Sequence, residues 1–192
     1  MVSVVFGIPG VGKSSVVKKV VKELSIERIH WGNVAFEIAE AKGIVEDVDK
    51  LRKQDLRIQK EIQLESAEKI ATMIAEDPDK HYVIETHAAL KTPQGYLPGL
   101  NMEIIAKLKP EVFIVYEAEP GHIYHRRMVD PARDRSDDTT LEAVQLNLDT
   151  TRYFAANYAV LAPGTLFVIQ NREGDLDYAV NMTIKALEKF VR

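Results

Sequence analysis

Between an apolar run at Val2–Phe6 and a stretch where Val16, Val17, Val20, Val21 and Leu24 recur at helical spacing lies Gly7-Ile8-Pro9-Gly10-Val11-Gly12-Lys13-Ser14. It fits G-x-x-x-x-G-K-[ST] in full, and it stands where that pattern has physical meaning, between a strand and a helix. The junction predicts a βα unit whose strand lies buried in a parallel sheet. Glycines at 7, 10 and 12 let the backbone approach an anion closely. Successive amides then form a concave nest at the positive end of the following helix. Lys13 supplies a mobile point charge for β- and γ-phosphates, and the Ser14 hydroxyl can ligate Mg²⁺. A bound nucleoside triphosphate is the implication.

Further apolar, β-rich runs occur at 82–84, 112–116 and 166–169, with a shorter strand expected around Ile26–Ile29. They alternate with helical segments, which predicts an α/β chain of three layers, a central parallel sheet flanked by helices. Asn33 can cap a helix running to about Lys42, with Gly43 as its stop. Asp47 to Lys53 reads as a short turn of helix, and Asp55 opens a long one that ends at Asp77-Pro78. Asn101 to Leu108 is short; Pro120 suits the first turn of a helix reaching about Val129. Thr139 with Glu142 makes a capping box for a helix to Leu161, and Asp175 or Asp177 opens the last one. The polar interval 130–138 has no apolar period and reads as a loop or small lid. With 192 residues, 46% of them hydrophobic, one domain suffices.

Composition removes several possibilities. A net charge of −4 offers no basic field for nucleic acid. The absence of cysteine excludes disulfides, thiolate metal sites and a cysteine nucleophile. The N-terminal apolar run is too short for a secretory signal or a membrane span. A cytoplasmic protein without membrane attachment is expected.

Three further places can carry chemistry. Tyr82-Val83-Ile84-Glu85-Thr86-His87 is an apolar strand ending in a carboxylate, which is where P-loop enzymes hold the water shell of Mg²⁺. Glu85 is the metal-side candidate; His87 reads as a polar residue lining the cleft. The segment from Arg126-Arg127 to Arg133-Asp134-Arg135 is, on composition, a solvated charged loop. Beside a phosphate loop it reads instead as lid arginines, because guanidinium pairs bidentately with phosphate and never deprotonates. Lys91-Thr92-Pro93-Gln94-Gly95-Tyr96-Leu97-Pro98-Gly99-Leu100 is expected to form an ordered loop at the mouth of the same cleft, either reading a base or serving as a structural Ω-like loop.

Taken in order, these pieces resemble the archaeal adenylate kinases, nucleoside monophosphate kinases with a short lid. The resemblance runs nearly end to end. It is carried by residues 7–14, Glu-Asp-Val-Asp-Lys-Leu-Arg-Lys at 46–53, Glu-Thr-His-Ala at 85–88, the 91–100 stretch, Arg-Asp-Arg at 133–135 and Ile-Gln-Asn at 169–171. Thr-Pro-x-Gly-Tyr-Leu-Pro-Gly-Leu is far more specific than the phosphate loop. The resemblance implies reversible transfer of the γ-phosphoryl group of MgATP to AMP, giving two ADP, by a homotrimer. Carried over by position, Gly7, Ile8, Pro9, Gly10, Val11, Gly12, Lys13, Ser14 and Ser15 hold the ATP phosphates. Arg126 packs on the ATP adenine, and Gln170 or Asn171 lines the base pocket. Arg133 and Arg135 are lid arginines that act with Lys13 and Arg126 in catalysis. Arg52 lies in an AMP-side helical region over about 32–77, and Thr86, His87, Thr92, Gly95 and Tyr96 face the acceptor. Ser14 and Glu85 serve the metal, although Glu85 stands where the family more often has Asp. Other nucleoside monophosphates or a small metabolite are alternative acceptors. A guanine-reading switch is disfavoured, because residues 171–174 are Asn-Arg-Glu-Gly rather than Asn-Lys-x-Asp.

Overall fold

The computed structural model describes residues 1–44, 51, 54–92, 95–129 and 140–191. Its strands are β1 (Val2–Phe6), β2 (Glu27–His30), β3 (Tyr82–Glu85), β4 (Ala89–Thr92), β5 (Gly95–Pro98), β6 (Val112–Glu117) and β7 (Thr165–Gln170). Its helices are α1 (Lys13–Leu24), α2 (Trp31–Ala41), α3 (Leu56–Glu76), α4 (Met102–Leu108), α5 (Pro120–Met128), α6 (Leu141–Leu161) and α7 (Leu176–Leu187). The expected lid over 130–138, and all but Leu51 of the expected turn over Asp47–Lys53, lie outside the described residues.

Five strands make one sheet in the order β2-β3-β1-β6-β7, every pairing parallel. Such a sheet must be covered on both faces, so its inner strands are nearly continuous apolar runs rather than alternating ones, interrupted by Ser3 and closed by Glu85 and Glu117. Successive residues of those strands go to opposite layers. Val2, Val4 and Phe6 join Tyr82, Ile84, Phe113 and Val115 in one core, under α2, α3 and α4. Val5 joins Val83, Val112, Ile114 and Tyr116 in the other, under α1 and α7. Helix α6 serves both: Val144 and Leu148 pack in the second core, Ala155 and Tyr158 in the first.

Four local expectations shift. The second strand begins at Glu27, because Ser25 (φ 52) and Ile26 still bond back to the Val21 carbonyl and close α1. Helix α2 starts at Trp31, directly after β2, so its cap is His30; the imidazole Nδ1 accepts the Asn33 amide at 3.2 Å. Thr140, rather than Thr139, caps α6 by accepting the Ala143 amide at 3.1 Å, which moves the third helical position off Glu142. The stretch after β3 forms an antiparallel hairpin, β4 against β5, instead of an irregular loop. Asp55, Asn101, Pro120 and Asp175 do open their helices as expected. No described helix is long and apolar enough to cross a membrane.

Candidate active site

The phosphate loop leaves the end of β1, the middle strand of the sheet, and ends as the cap of α1. Gly10 (φ 86) and Gly12 (φ 88) take the left-handed backbone that only glycine adopts without strain. Gly12 caps α1 with no side-chain hydrogen bond, and of the first-turn amides Ser15 donates to the Gly12 carbonyl at 3.1 Å, which leaves those of Lys13 and Ser14 for a ligand.

The loop carbonyls are tied from outside. Arg127 Nε donates to the Pro9 carbonyl at 2.8 Å, Arg126 Nη1 to Gly10 at 3.1 Å and Asn171 Nδ2 to Val11 at 2.7 Å. In a trans peptide the next amide points the opposite way. Fixing the Pro9 and Val11 carbonyls therefore turns the amides of Gly10 and Gly12 away from those side chains. A methyl group on Gly12 would come within 2.3 Å of Asn171 Nδ2, so the fit there is close. Asn171 Oδ1 is buried and has no hydrogen-bond partner among the described residues. Arg126 also pairs with Glu173 in the turn after β7.

Lys13 is buried, and its Nζ donates to the Thr86 carbonyl at 2.6 Å while standing 3.9 Å from Glu85 Oε1. Burial pulls its pKa down to about 8, Glu85 pulls it up and Arg28 pushes it further down. Glu85 is 1% exposed at the end of β3. Its Oε1 accepts the Ser14 hydroxyl, and its Oε2 accepts Arg28 Nε at 2.9 Å and Arg28 Nη2. Burial alone would raise the Glu85 pKa, but Lys13, the Ser14 hydroxyl and Arg28 outweigh it and hold the carboxyl below its ordinary value.

Ser14 Oγ and Glu85 Oε1 thus lie together beside the nest. Among the described residues, no three His, Cys, Asp or Glu side chains gather to hold a metal ion. A sparse, all-oxygen donor set suits Mg²⁺, which keeps several waters and takes further ligands from phosphates. The residues present therefore fit that ion.

A second cluster closes the far side. Glu117, buried at the end of β6, accepts Arg152 Nε at 2.7 Å and Nη2 at 2.6 Å, and Gln170 Nε2 at 2.9 Å. Gln170 is thereby turned onto Glu117, while Asn171 is the residue that reaches the loop. The hairpin carries Thr92, Gly95 and Tyr96, with Thr92 Oγ1 donating to the Gly95 carbonyl at 2.8 Å. Its base is set by Tyr158: the hydroxyl donates to the Ala88 carbonyl at 2.7 Å and accepts the Leu100 amide at 3.3 Å. Gly99 packs tightly there, since a Cβ would meet the His87 carbonyl at 2.0 Å.

The structure therefore brings Lys13, Ser14, Glu85, Thr86, Arg126 and Asn171 around one loop. It sets Thr92, Gly95 and Tyr96 on the hairpin that follows His87. Arg52, Arg133 and Arg135 lie outside the described residues. Arg28 and the Glu117–Arg152 pair went unnoticed in the sequence. Their signal appears only after strand pairing, because each contact joins distant segments.

A family model described as an AAA domain matches residues 6–145. The adenylate kinase of Methanocaldococcus jannaschii is 40% identical over 192 residues, covering 97% of this chain and 98% of that protein. Those of Pyrococcus furiosus (37%; 97% of this chain, 95% of that protein) and Thermoplasma volcanium (34%; 98% and 100%) are also similar. Among solved structures, a shikimate kinase from Bacteroides thetaiotaomicron superposes with a TM-score of 0.59 at 13% identity, covering 100% of this chain and 98% of that one. A gluconokinase from Sinorhizobium meliloti gives 0.54 at 12% identity, with 98% and 92% covered. At those identities the likeness concerns the fold alone.

Proposed function

The chain belongs to the archaeal adenylate kinase family, and from that premise we propose that it reversibly transfers the γ-phosphoryl group of MgATP to AMP, giving two ADP. The observation that carries the reading is a juxtaposition. The strand ending in Glu85, beside Lys13 and Ser14, passes through residues 86–88 directly into the Thr92–Tyr96 hairpin. A triphosphate held at the loop and an acceptor held at the hairpin would then meet at one cleft.

In this reading the loop from Gly7 to Ser15 holds the donor phosphates, and Lys13 neutralises the γ-phosphoryl group as it moves. The amides of Gly10, Gly12, Lys13 and Ser14 are the donors, since Pro9 has no N–H and those of Val11 and Ser15 bond within the loop. Ser14 and Glu85 would hold Mg²⁺, which would supply charge neutralisation for the transferred phosphoryl group. Arg133 and Arg135 close over the site from the lid, screen the equatorial oxygens and exclude water. Arg126 and Asn171, fixed to the loop, border the donor base. Arg52, Thr86, His87, Thr92, Gly95 and Tyr96 orient the acceptor for in-line transfer. No covalent enzyme intermediate is required, since positioning and electrostatics suffice for phosphoryl transfer.

A homotrimer in the cytoplasm completes the reading. Leu146, Tyr153 and Val160 recur every seven residues on α6, 58%, 68% and 80% exposed, which supports self-association through that helix. Light scattering tests the assembly. For the activity, a coupled assay with MgATP and a panel of acceptors should show ADP formed only when AMP is supplied, with two purine nucleotides bound per subunit. ADP formation with CMP, UMP or a small metabolite, and none with AMP, would replace this reading by the neighbouring kinase.

A further inference from the structure

We propose that Arg28 is a positioning residue for the phosphate cleft: it grips one oxygen of Glu85 so that the other stays beside Ser14 and off Lys13. The inference rests on reading Ser14 and Glu85 as the metal-side oxygens.

Strand β2 is an outer strand of the sheet, and its register pairs Arg28 with Val83 and His30 with Glu85. Arg28 and Glu85 are therefore diagonal neighbours on one face, within reach of a long side chain. The two oxygens of Glu85 have different partners. Oε2 receives two nitrogens of the guanidinium, whereas Oε1 receives the Ser14 hydroxyl. Lys13 Nζ stands 3.9 Å from Oε1 and bonds the neutral Thr86 carbonyl at 2.6 Å. The ammonium is thus near the carboxylate without being locked to it.

That separation needs a cause. Opposite charges in a buried cleft attract strongly, and a glutamate has one more rotatable bond than an aspartate with which to close the gap. If Glu85 swung onto Lys13, one contact would consume both the cation meant for a phosphate and the oxygen meant for a metal shell. The Arg28 fork blocks the swing by holding Oε2 at two points, and guanidinium stays charged at every working pH. Arg28, three-quarters covered against the sheet, is itself well placed to hold still.

The test is calorimetry of ATP binding to the full chain, once with EDTA and once with excess Mg²⁺. It uses no acceptor, so it stands whether or not AMP is the partner substrate. In Arg28→Leu the Mg²⁺-dependent gain in ATP affinity is expected to fall about tenfold, as for loss of other partners that orient metal ligands. Adding Glu85→Asp should restore most of the gain, because the shorter side chain cannot swing to Lys13. Arg28→Lys, which keeps the charge and loses the fork, should fall between and serves if the leucine variant does not fold. An undiminished Mg²⁺ gain in Arg28→Leu, or a loss that Glu85→Asp fails to restore, would overturn the proposal alone. Absence of any Mg²⁺ gain in the wild type would overturn the metal reading and the clamp with it.

Discussion

The phosphate loop and the hairpin at 89–98 are linked through the end of β3 but are built by different means. The loop is held from α5, from β3 and from the turn after β7, through Arg127, Arg126, Glu85 and Asn171. Each of those contacts spans at least 71 residues of chain. The base of the hairpin is held by the Gly99 amide on the Ala88 carbonyl, by Tyr158 and by Gln63 on the Pro98 carbonyl. A cradle of backbone amides is useful only if its peptide planes are fixed before the anion arrives, so rigidity belongs there.

The contrast yields measurable consequences. Substitutions at the loop should damage donor binding and the chemical step; those at the hairpin should affect the acceptor alone. Lys13→Met is expected to lower kcat about 10³-fold in steady-state assays, with the KM for AMP nearly unchanged; a shift confined to that KM would break the comparison. Asn171→Leu leaves the Val11 carbonyl buried without its donor, which costs about 1–3 kcal/mol. Thermal unfolding should show Tm falling by roughly 2–4 °C per kcal/mol, and calorimetry should show ATP binding about tenfold weaker. Tyr158→Phe removes the hydroxyl bridging Ala88 and Leu100, about 1 kcal/mol. The KM for AMP should rise about fivefold while ATP affinity without AMP stays constant. Burial pushes that hydroxyl up to about 12, so the effect should not vary with pH in the working range.

The mildest test uses pH. Lys13 in the free protein titrates at about 8 against 10.5 for an exposed lysine. Above that point ATP binding must first restore a proton, so affinity should fall about fourfold between pH 7 and 8.5, and Lys13→Met should abolish the trend. Stability runs the other way. Between about 8 and 10.5 the unfolded chain binds more protons at this site than the folded one, so its contribution to unfolding free energy rises with pH there.

Much of this architecture can be read from the chain, for identifiable reasons. Strands β1, β3 and β6 are mostly apolar, broken only by Ser3 and by the closing Glu85 and Glu117, because both faces of the sheet are covered, and their runs stand out between polar helices. Lys13 and Ser14 are legible because the phosphate-loop motif is local. Glu85 is legible because it closes one of the apolar runs. The hairpin reads as a loop because its prolines and glycines punctuate the stretch more strongly than its short alternation marks strands. His30 escapes as a cap because a helix that follows a strand without a linker takes whatever residue stands at the junction. Arg28, 57 residues from Glu85, and Arg152, 35 from Glu117, become meaningful only when folding places them on a carboxylate. No pattern within a single segment encodes such a pair.

The alternation along β1 has one more consequence. Val4 and Phe6 enter one layer and Val5 the other, so sliding this strand by a single residue would exchange the contents of the two cores. The start of the glycine turn is therefore indexed to the sheet as a tooth is to a gear. Residues can be gained or lost between α2 and α3 with little effect on where the first nest amide stands. A one-residue insertion or deletion between Val2 and Gly7 would move that amide about 3.3 Å along the strand and turn it to the wrong side.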